Sequence, residues 1–327
     1  AEIRDKIKDK VVATMLKEIQ RVVTKAMHID FDNWLSEKTL VAPGILDKLV
    51  ATLKAKGLVY EKDGATWLAT TKYGDDKDRV LTKADGEMTY FLPDIVNHWL
   101  KFTKHKANVA INILGADHHG YTGRMHAALK GLGVVDEQHI FQPLIIQFVR
   151  LIRDGKEVKM SKRRGTYVEA EEVIQEVGLD AARFFFMMYD IKTHLDFNLD
   201  VAKERSEKNP VYYVQYAHAR MCSILAKVGK TKIAKSKGGA LHPSARKLIL
   251  ELLRWPEVLE DVSRDYSCQR IPQYAIELAR TFHEFYTQVR VIDNDTVQAL
   301  PFTLVHATKN VLADVLDTLG VSAPRKM

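Results

Sequence analysis

Between Thr89 and Ile152 the chain alternates between helical apolar spacing and continuous apolar runs, and this order limits the fold more than any other feature. Tyr90 to Lys101 is helical in pattern, Val109 to Leu114 is an apolar run, Tyr121 to Leu132 is helical again, and Leu144 to Ile152 is a second run. Short apolar runs between helices fit buried strands. A helix-strand-helix-strand order implies a parallel sheet covered on both faces, because parallel strands need a crossover long enough for a helix. Ligands of such sheets sit beyond the carboxyl ends of the strands. Two polar clusters are predicted at those ends: Gly115-Ala116-Asp117-His118-His119-Gly120 and Lys159-Met160-Ser161-Lys162-Arg163-Arg164.

The flanks read differently. Ile3, Ile7, Val11, Met15, Ile19, Val22 and Val23 predict one helix over 2–27. Phe31 to Leu35 alternates like a short strand. Pro43 to Lys56 predicts a helix with proline in its first turn and Gly57 at its stop. Leu58–Glu61, Ala65–Ala69 and Arg79–Leu81 are strand candidates separated by Asp-Gly and Gly-Asp turns. After Gly178, helical stripes cover Asp180–Tyr189, Val201–Glu207, Val211–Val228, Ser244–Leu253, Pro272–Val289 and Phe302–Leu319, which predicts a helical bundle. The fold class is therefore α/β followed by all-α. Its expected segments are a small mixed region over 1–85, the parallel-sheet region over 86–206 and the bundle over 207–327.

A chain of 327 residues has ample core for two or three domains. No run reaches the ~20 apolar residues that a membrane span needs. Cys222 and Cys268 are the only cysteines, so neither a disulfide framework nor a cysteine zinc site is expected, and a reducing cytoplasm fits. The net charge of +7 favours a polyanionic partner, nucleic acid above all. Lys227, Lys230, Lys232, Lys235 and Lys237 lie in one stretch without an acid, ending at Gly238-Gly239. That stretch reads either as a solvated loop or as an RNA contact.

Each cluster has a chemical reading and a plain one. Lysine side chains beside a strand end suit a polyphosphate, although most charge runs are surface decoration. Small residues around Gly115 let a ligand approach the backbone, and Asp117 at a strand end can accept from ribose hydroxyls. A tight strand-to-helix turn capped by Asp117 would look the same. The adjacent histidines diverge, so no shared metal is expected. Tyr90 and Asp94 share a helix face, and a ring beside a carboxylate suits a guanidinium. An acid favoured by the helix dipole is the plainer explanation.

Taken together, the runs resemble one family. Lys159-Met160-Ser161-Lys162-Arg163 is similar to the signature loop of class I aminoacyl-tRNA synthetases. Asp63-Gly64-Ala65, Gly74-Asp75-Asp76-Lys77-Asp78-Arg79-Val80, Thr89-Tyr90-Phe91-Leu92-Pro93-Asp94-Ile95 and Gly115 to Tyr121 occur in the order of arginyl-tRNA synthetases. So do Asn209-Pro210-Val211-Tyr212-Tyr213-Val214-Gln215-Tyr216-Ala217-His218-Ala219-Arg220 and Ala323-Pro324-Arg325-Lys326-Met327. The resemblance spans essentially the whole chain. It implies the second half of a class I Rossmann-like catalytic domain with an insertion, then a helical anticodon-binding domain.

The implied reaction joins arginine and ATP, taken with Mg2+ as substrate, into arginyl-adenylate. The arginyl group then passes to tRNA(Arg). By the same likeness Tyr90, Asp94 and His118 line the arginine pocket, and Gly115 and Asp117 face the ATP ribose. Lys159, Met160, Ser161 and Lys162 form the ATP loop, with Lys162 and Lys159 catalytic. Tyr213, Tyr216, Arg220 and Met327 meet the anticodon loop. No structural metal is implied.

One departure matters. The sequence contains no His-x-Gly-His run, which the class also needs for ATP. The reading is therefore of a C-terminal portion, expected to be inactive alone and to need the N-terminal half as a partner. A non-catalytic tRNA-binding module on the same fold is the alternative, and a cysteinyl-type enzyme is disfavoured by the lack of zinc spacing.

Overall fold

The computed structural model describes residues 2–42, 44–160, 167–229, 233, 240–293 and 296–327. Two compact units result: Phe31–Phe148, and Ala1–Asp30 together with Val149–Met327. This grouping cuts across the three segments read from sequence. The reason is side-chain ties: Arg21 pairs with Glu171, and Arg183 donates to the carbonyls of Met27 and His28.

Helix α1 spans Glu2–Arg21 and continues as a π-helical turn, Val22–Ala26. The predicted helix over 2–27 is thus present, with its last turn widened. Its apolar stripe, Ile3, Ile7, Val11, Met15 and Ile19, is exposed.

The unit 31–148 opens with a departure from expectation. Phe31 to Leu35 is not a strand; it pairs with no described strand, and Phe31 packs edge-on to Trp34 at 5.2 Å. Alternation alone cannot supply a ladder partner. Helices α2 (Glu37–Leu40) and α3 (Ile45–Ala55) follow. Strands β1 (Val59–Lys62), β2 (Ala65–Leu68) and β3 (Arg79–Thr82) form the expected antiparallel sheet. The Asp63-Gly64 turn between β1 and β2 has positive φ at both residues, the form that matches strand twist. Then come α4 (Phe91–Thr103), β4 (Val109–Gly115), α5 (His119–Leu132) and β5 (Ile140–Ile146). Strands β4 and β5 are parallel, in register from Val109 opposite Ile140 to Gly115 opposite Ile146. Leu49, Leu53, Ile95, Met125 and Leu129 form the centre of this unit's core.

Two expectations about this sheet are corrected. Among the described residues it is covered on one face: Ala110 and Phe141 join the core, whereas Val109, Ile111, Ile113 and Ile146 are exposed. The run Leu144 to Ile152 is not one strand. Strand β5 ends at Ile146, and β6 (Val149–Arg153) pairs with other partners: β7 (Lys156–Glu157) antiparallel and β8 (Leu195–Asn198) parallel. An apolar run records burial and not which neighbour supplies the ladder. The lysine cluster consequently follows the return strand of a hairpin turned at Asp154-Gly155, not the carboxyl end of a parallel strand.

The remaining chain is mainly helical: α6 (Ala170–Val177), α7 (Leu179–Met187), α8 (Leu199–Lys203), α9 (Pro210–Val228), α10 (Pro243–Leu253), α11 (Trp255–Asp265), α12 (Arg270–Gln288) and α13 (Ala299–Thr318). A short antiparallel pair, β9 (Ile292–Asp293) and β10 (Thr296–Val297), precedes α13. Asn209 caps α9 by accepting from Val211 and Tyr212, and Pro210 takes the first-turn place where no N–H is needed. Met221, Phe282, Phe285, Leu312 and Val315 lie in one continuous core. Helix α11 escaped sequence reading because it is polar; only Trp255 and Val258 are buried, and Trp255 donates its indole N–H to Asp314 at 2.6 Å.

Candidate active site and nucleic-acid interface

Helix α4 brings the first group together. Tyr90 is its N-cap and is 85% exposed, while Asp94 lies in the first turn. Burial, and Glu37 nearby, raise the Asp94 carboxyl pKa; Arg124 and His118 pull it down. No ion pair to Asp94 is found among the described residues. One turn further, His98 is buried, with Nε2 3.1 Å from the Tyr121 hydroxyl and 3.4 Å from Asn112 Nδ2. Burial, and then Lys101, push the His98 pKa down to about 3, so the ring is neutral. The Tyr121 ring faces the edge of His118 with centroids 6.1 Å apart. The Arg124 guanidinium lies 5.4 Å from the Tyr121 ring centre and 5.5 Å from that of Phe91.

Arg124 and His118 thus lie near enough to Asp94 to act on its charge. Tyr90 is largely exposed, and its carbonyl accepts from the Asp94 N–H at 3.3 Å. Arg124 and Tyr121 were not singled out. The signal was available: Arg124 follows Gly120 by one helical turn, so both share a face of α5.

The Gly115 turn places the second group. A Cβ on Gly115 would lie 2.9 Å from Asp117 Oδ1, so the carboxylate folds back towards the Gly115 backbone. Asp117 caps no helix here, and its Oδ1 is 3.7 Å from His118 Nε2. An open cavity of about 620 Å³ is lined by Asp75, Arg79, Asp117, His118, Gly120 and Arg124. Arg79 holds Asp75 at 2.7 Å and lowers its pKa to about 2. Lys159 and Met160 are exposed, whereas Ser161 and Lys162 lie outside the described residues. Among the described residues no group of His, Cys, Asp and Glu could hold a metal ion.

The third group is on α9. Tyr216 stacks on Tyr212 at 6.4 Å and on His283 at 6.3 Å, and Tyr213 packs against His283 at 5.4 Å. Burial, with Arg220 adding to it, lowers the His283 pKa. Arg220 sits 4.7 Å over the Tyr286 ring. A cavity of about 580 Å³ is lined by Arg205, Tyr212, Tyr213, Tyr216, Arg220 and His283. Rings and cations around an open pocket suit unpaired bases and their phosphates. Sequence reading missed His283 because its partners come from another helix. Met327 is exposed at the end of the tail after α13. Of the lysine stretch, only Lys227 is described.

A parallel pair ending in a Gly-Ala-Asp turn and a helical bundle with an aromatic-basic face, with the Lys159–Arg164 signature in the sequence between them, define a class I aminoacyl-tRNA synthetase fold. Residues 3–239 match the model of the class I (R) tRNA synthetase catalytic domain, and residues 214–327 match that of the DALR anticodon binding domain. The chain belongs to the arginyl-tRNA synthetase family. It is 45% identical over 312 residues to the arginine–tRNA ligase of Symbiobacterium thermophilum, which covers 93% of this chain and 55% of that protein. It is 44% identical over 319 residues to that of Shouchella clausii, covering 95% of this chain and 57% of the relative. An arginyl-tRNA synthetase structure from Campylobacter jejuni superposes with a TM-score of 0.85 at 33% identity, covering 98% of this chain and 69% of that one. The Thermus thermophilus arginyl-tRNA synthetase shares the fold, with a TM-score of 0.80 at 23% identity. The chain thus spans little more than half the length of the curated relatives that it matches. Among the described residues no helix is long and apolar enough to cross a membrane.

Proposed function

We propose that this chain supplies the arginine-selecting, lysine-loop and anticodon-reading parts of an arginine–tRNA ligase. The arginine carboxylate attacks the α-phosphate of ATP, taken as its Mg2+ complex. Pyrophosphate leaves, and the terminal ribose hydroxyl of tRNA(Arg) then displaces AMP from the adenylate. The observation that carries this reading is Asp94: a half-buried carboxylate, raised in pKa by that burial, with no ion-pair partner among the described residues. A guanidinium is the cation that such a site rewards, because it is weakly hydrated and pairs bidentately. Tyr90 and His118 complete the arginine pocket. Gly115 and Asp117 receive the ATP ribose, and Lys159, Met160, Ser161 and Lys162 its phosphates. Tyr213, Tyr216, Arg220 and Met327 receive the anticodon loop.

Lys162 acts on charge that develops as pyrophosphate departs, so its contribution falls mainly in the transition state. The 327 residues hold no His-x-Gly-His run, so ATP activation draws on residues outside them. A cytoplasmic setting fits two unbridged thiols, Cys222 and Cys268.

Arginine- and tRNA-dependent pyrophosphate exchange provides the test. The chain alone is expected to show none, and fusion to the unmatched part of the Symbiobacterium relative is expected to restore it. In that fusion Lys162→Ala should slow exchange by about 10²- to 10³-fold, roughly 3 to 4 kcal/mol. An unchanged rate removes the role of Lys162. A silent fusion that still binds tRNA, with no response to arginine, replaces the ligase reading with a tRNA-binding module.

A further inference from the structure

One guanidinium in the second unit holds three backbone carbonyls from two distant segments. Arg183 Nη1 donates to Gly320 O at 2.6 Å, and Nη2 donates to Met27 O at 2.6 Å and His28 O at 2.9 Å. No carboxylate pairs with Arg183 among the described residues. Three residues earlier on α7, Asp180 accepts from the Ser322 backbone N–H at 3.1 Å and from the Ser322 hydroxyl. Gln215 on α9 donates to Asp180 Oδ2 at 2.8 Å and to Ser322 O at 2.9 Å. His218, one turn along α9, bonds Pro324 O through Nδ1 at 2.9 Å. The segment after α13 is therefore routed by polar side chains at Gly320, Ser322 and Pro324. Arg325, Lys326 and Met327 beyond it are exposed.

Helix α9 makes both halves of this arrangement. Gln215 and His218 grip the tail from the same helix that presents Tyr213, Tyr216 and Arg220. The bonds from the Arg183 guanidinium and to the Asp180 carboxylate are charge-assisted and directional, and with those of Gln215 and His218 they hold the tail to this path. Gly320 shows how tight the fit is. Its φ is +64°, and a Cβ there would lie 2.0 Å from Arg183 Nη1. Any other residue displaces the guanidinium.

We propose that Asp180 and Arg183 are positioning residues that clasp the segment Gly320–Met327 so that its cationic, apolar end meets RNA. The proposal rests on the RNA-reading part of the function argued above. Arg183 completes its bonding only when the turn at Met27–His28 is folded, so tail and turn are fixed by one side chain. Neither residue touches the RNA itself.

The test is a double-mutant cycle on the 327-residue chain, read as Kd for an arginine-accepting tRNA transcript. Met327→Ala is expected to weaken binding about tenfold in the wild-type background, since loss of one contact to a base has that size. In the Gly320→Ala background, and separately in Arg183→Gln, the same Met327→Ala change is expected to cost less than about twofold, because the tail is already released. Gly320→Ala alone should weaken binding by about the same tenfold. Thermal unfolding of each variant identifies loss of fold; if Arg183→Gln unfolds, Gly320→Ala carries the measurement. Equal Met327→Ala effects in both backgrounds overturn the clasp while leaving RNA binding intact. Absence of binding by the wild-type chain overturns the RNA-reading part of the proposed function, and the clasp's purpose with it.

Discussion

The β4–β5 pair and the α9–α12–α13 bundle are both rich in apolar residues, yet they use them differently. In the bundle the apolar positions converge: Met221, Phe282, Phe285, Leu312 and Val315 share one core. In the β4–β5 pair half of the apolar positions face outward, with Ile113 64% exposed. A helix stripe needs a few neighbours on one side, and short connections in the chain supply them. A parallel pair needs cover on two faces. Hydrophobicity in the strands therefore states a demand that α4 and α5 answer here on one side.

That comparison can be broken most directly in the bundle. Phe282 is fully buried, and Phe282→Ala should cost about 3 to 5 kcal/mol in urea unfolding. A loss below about 1 kcal/mol would mean that the bundle core is no better packed than the open sheet face. Acid is the next lever. His98 in the sheet unit has its folded pKa depressed to about 3, against roughly 6.5 when unfolded. Its contribution is complete above about pH 6.5 and is lost as pH falls towards 3, at about 1.4 kcal/mol per unit. Between pH 7 and 4.5 the chain should lose about 2 to 3 kcal/mol through this group. His98→Asn should flatten the dependence. His218 and His283, both lowered mainly by burial, act in the same direction, so some slope will remain. An unchanged slope would remove His98 as its source. The smallest effect is expected on the bare sheet face, where Ile113→Thr should move stability by no more than about 0.5 kcal/mol. A cost like that of Phe282→Ala would show that something covers this face in solution.

Much of the fold was legible for the same reason that the two regions differ. The helices read at Val211–Val228, Ser244–Leu253, Pro272–Val289 and Phe302–Leu319 appear within a few residues at each end, because spacing and caps are local. Strand partners are not local. The division at Gln147–Phe148 within one apolar run, and the absence of a strand at Phe31–Leu35, depend on which strands lie alongside. The candidate site shows the same limit. Asp94 and His118 could be paired in sequence by resemblance, but Arg124 over the Phe91 and Tyr121 rings required the fold. So did His283 beneath Tyr213 and Tyr216.

The π-helical turn at Val22–Ala26 bears on how this chain tolerates changes of length. Such a turn holds one residue more than the α-turn it replaces. Deleting a single residue there would leave an unbroken α-helix, at no cost to local geometry. It would also leave the residues after it in nearly the same rotation about the helix axis, because the widened turn absorbs its extra residue within one turn. The carbonyls of Met27 and His28 would then stay aimed at Arg183. Deleting a residue further up α1, where no turn is widened, would rotate them by about 100° and be felt at the far end of the chain, where the same guanidinium grips Gly320.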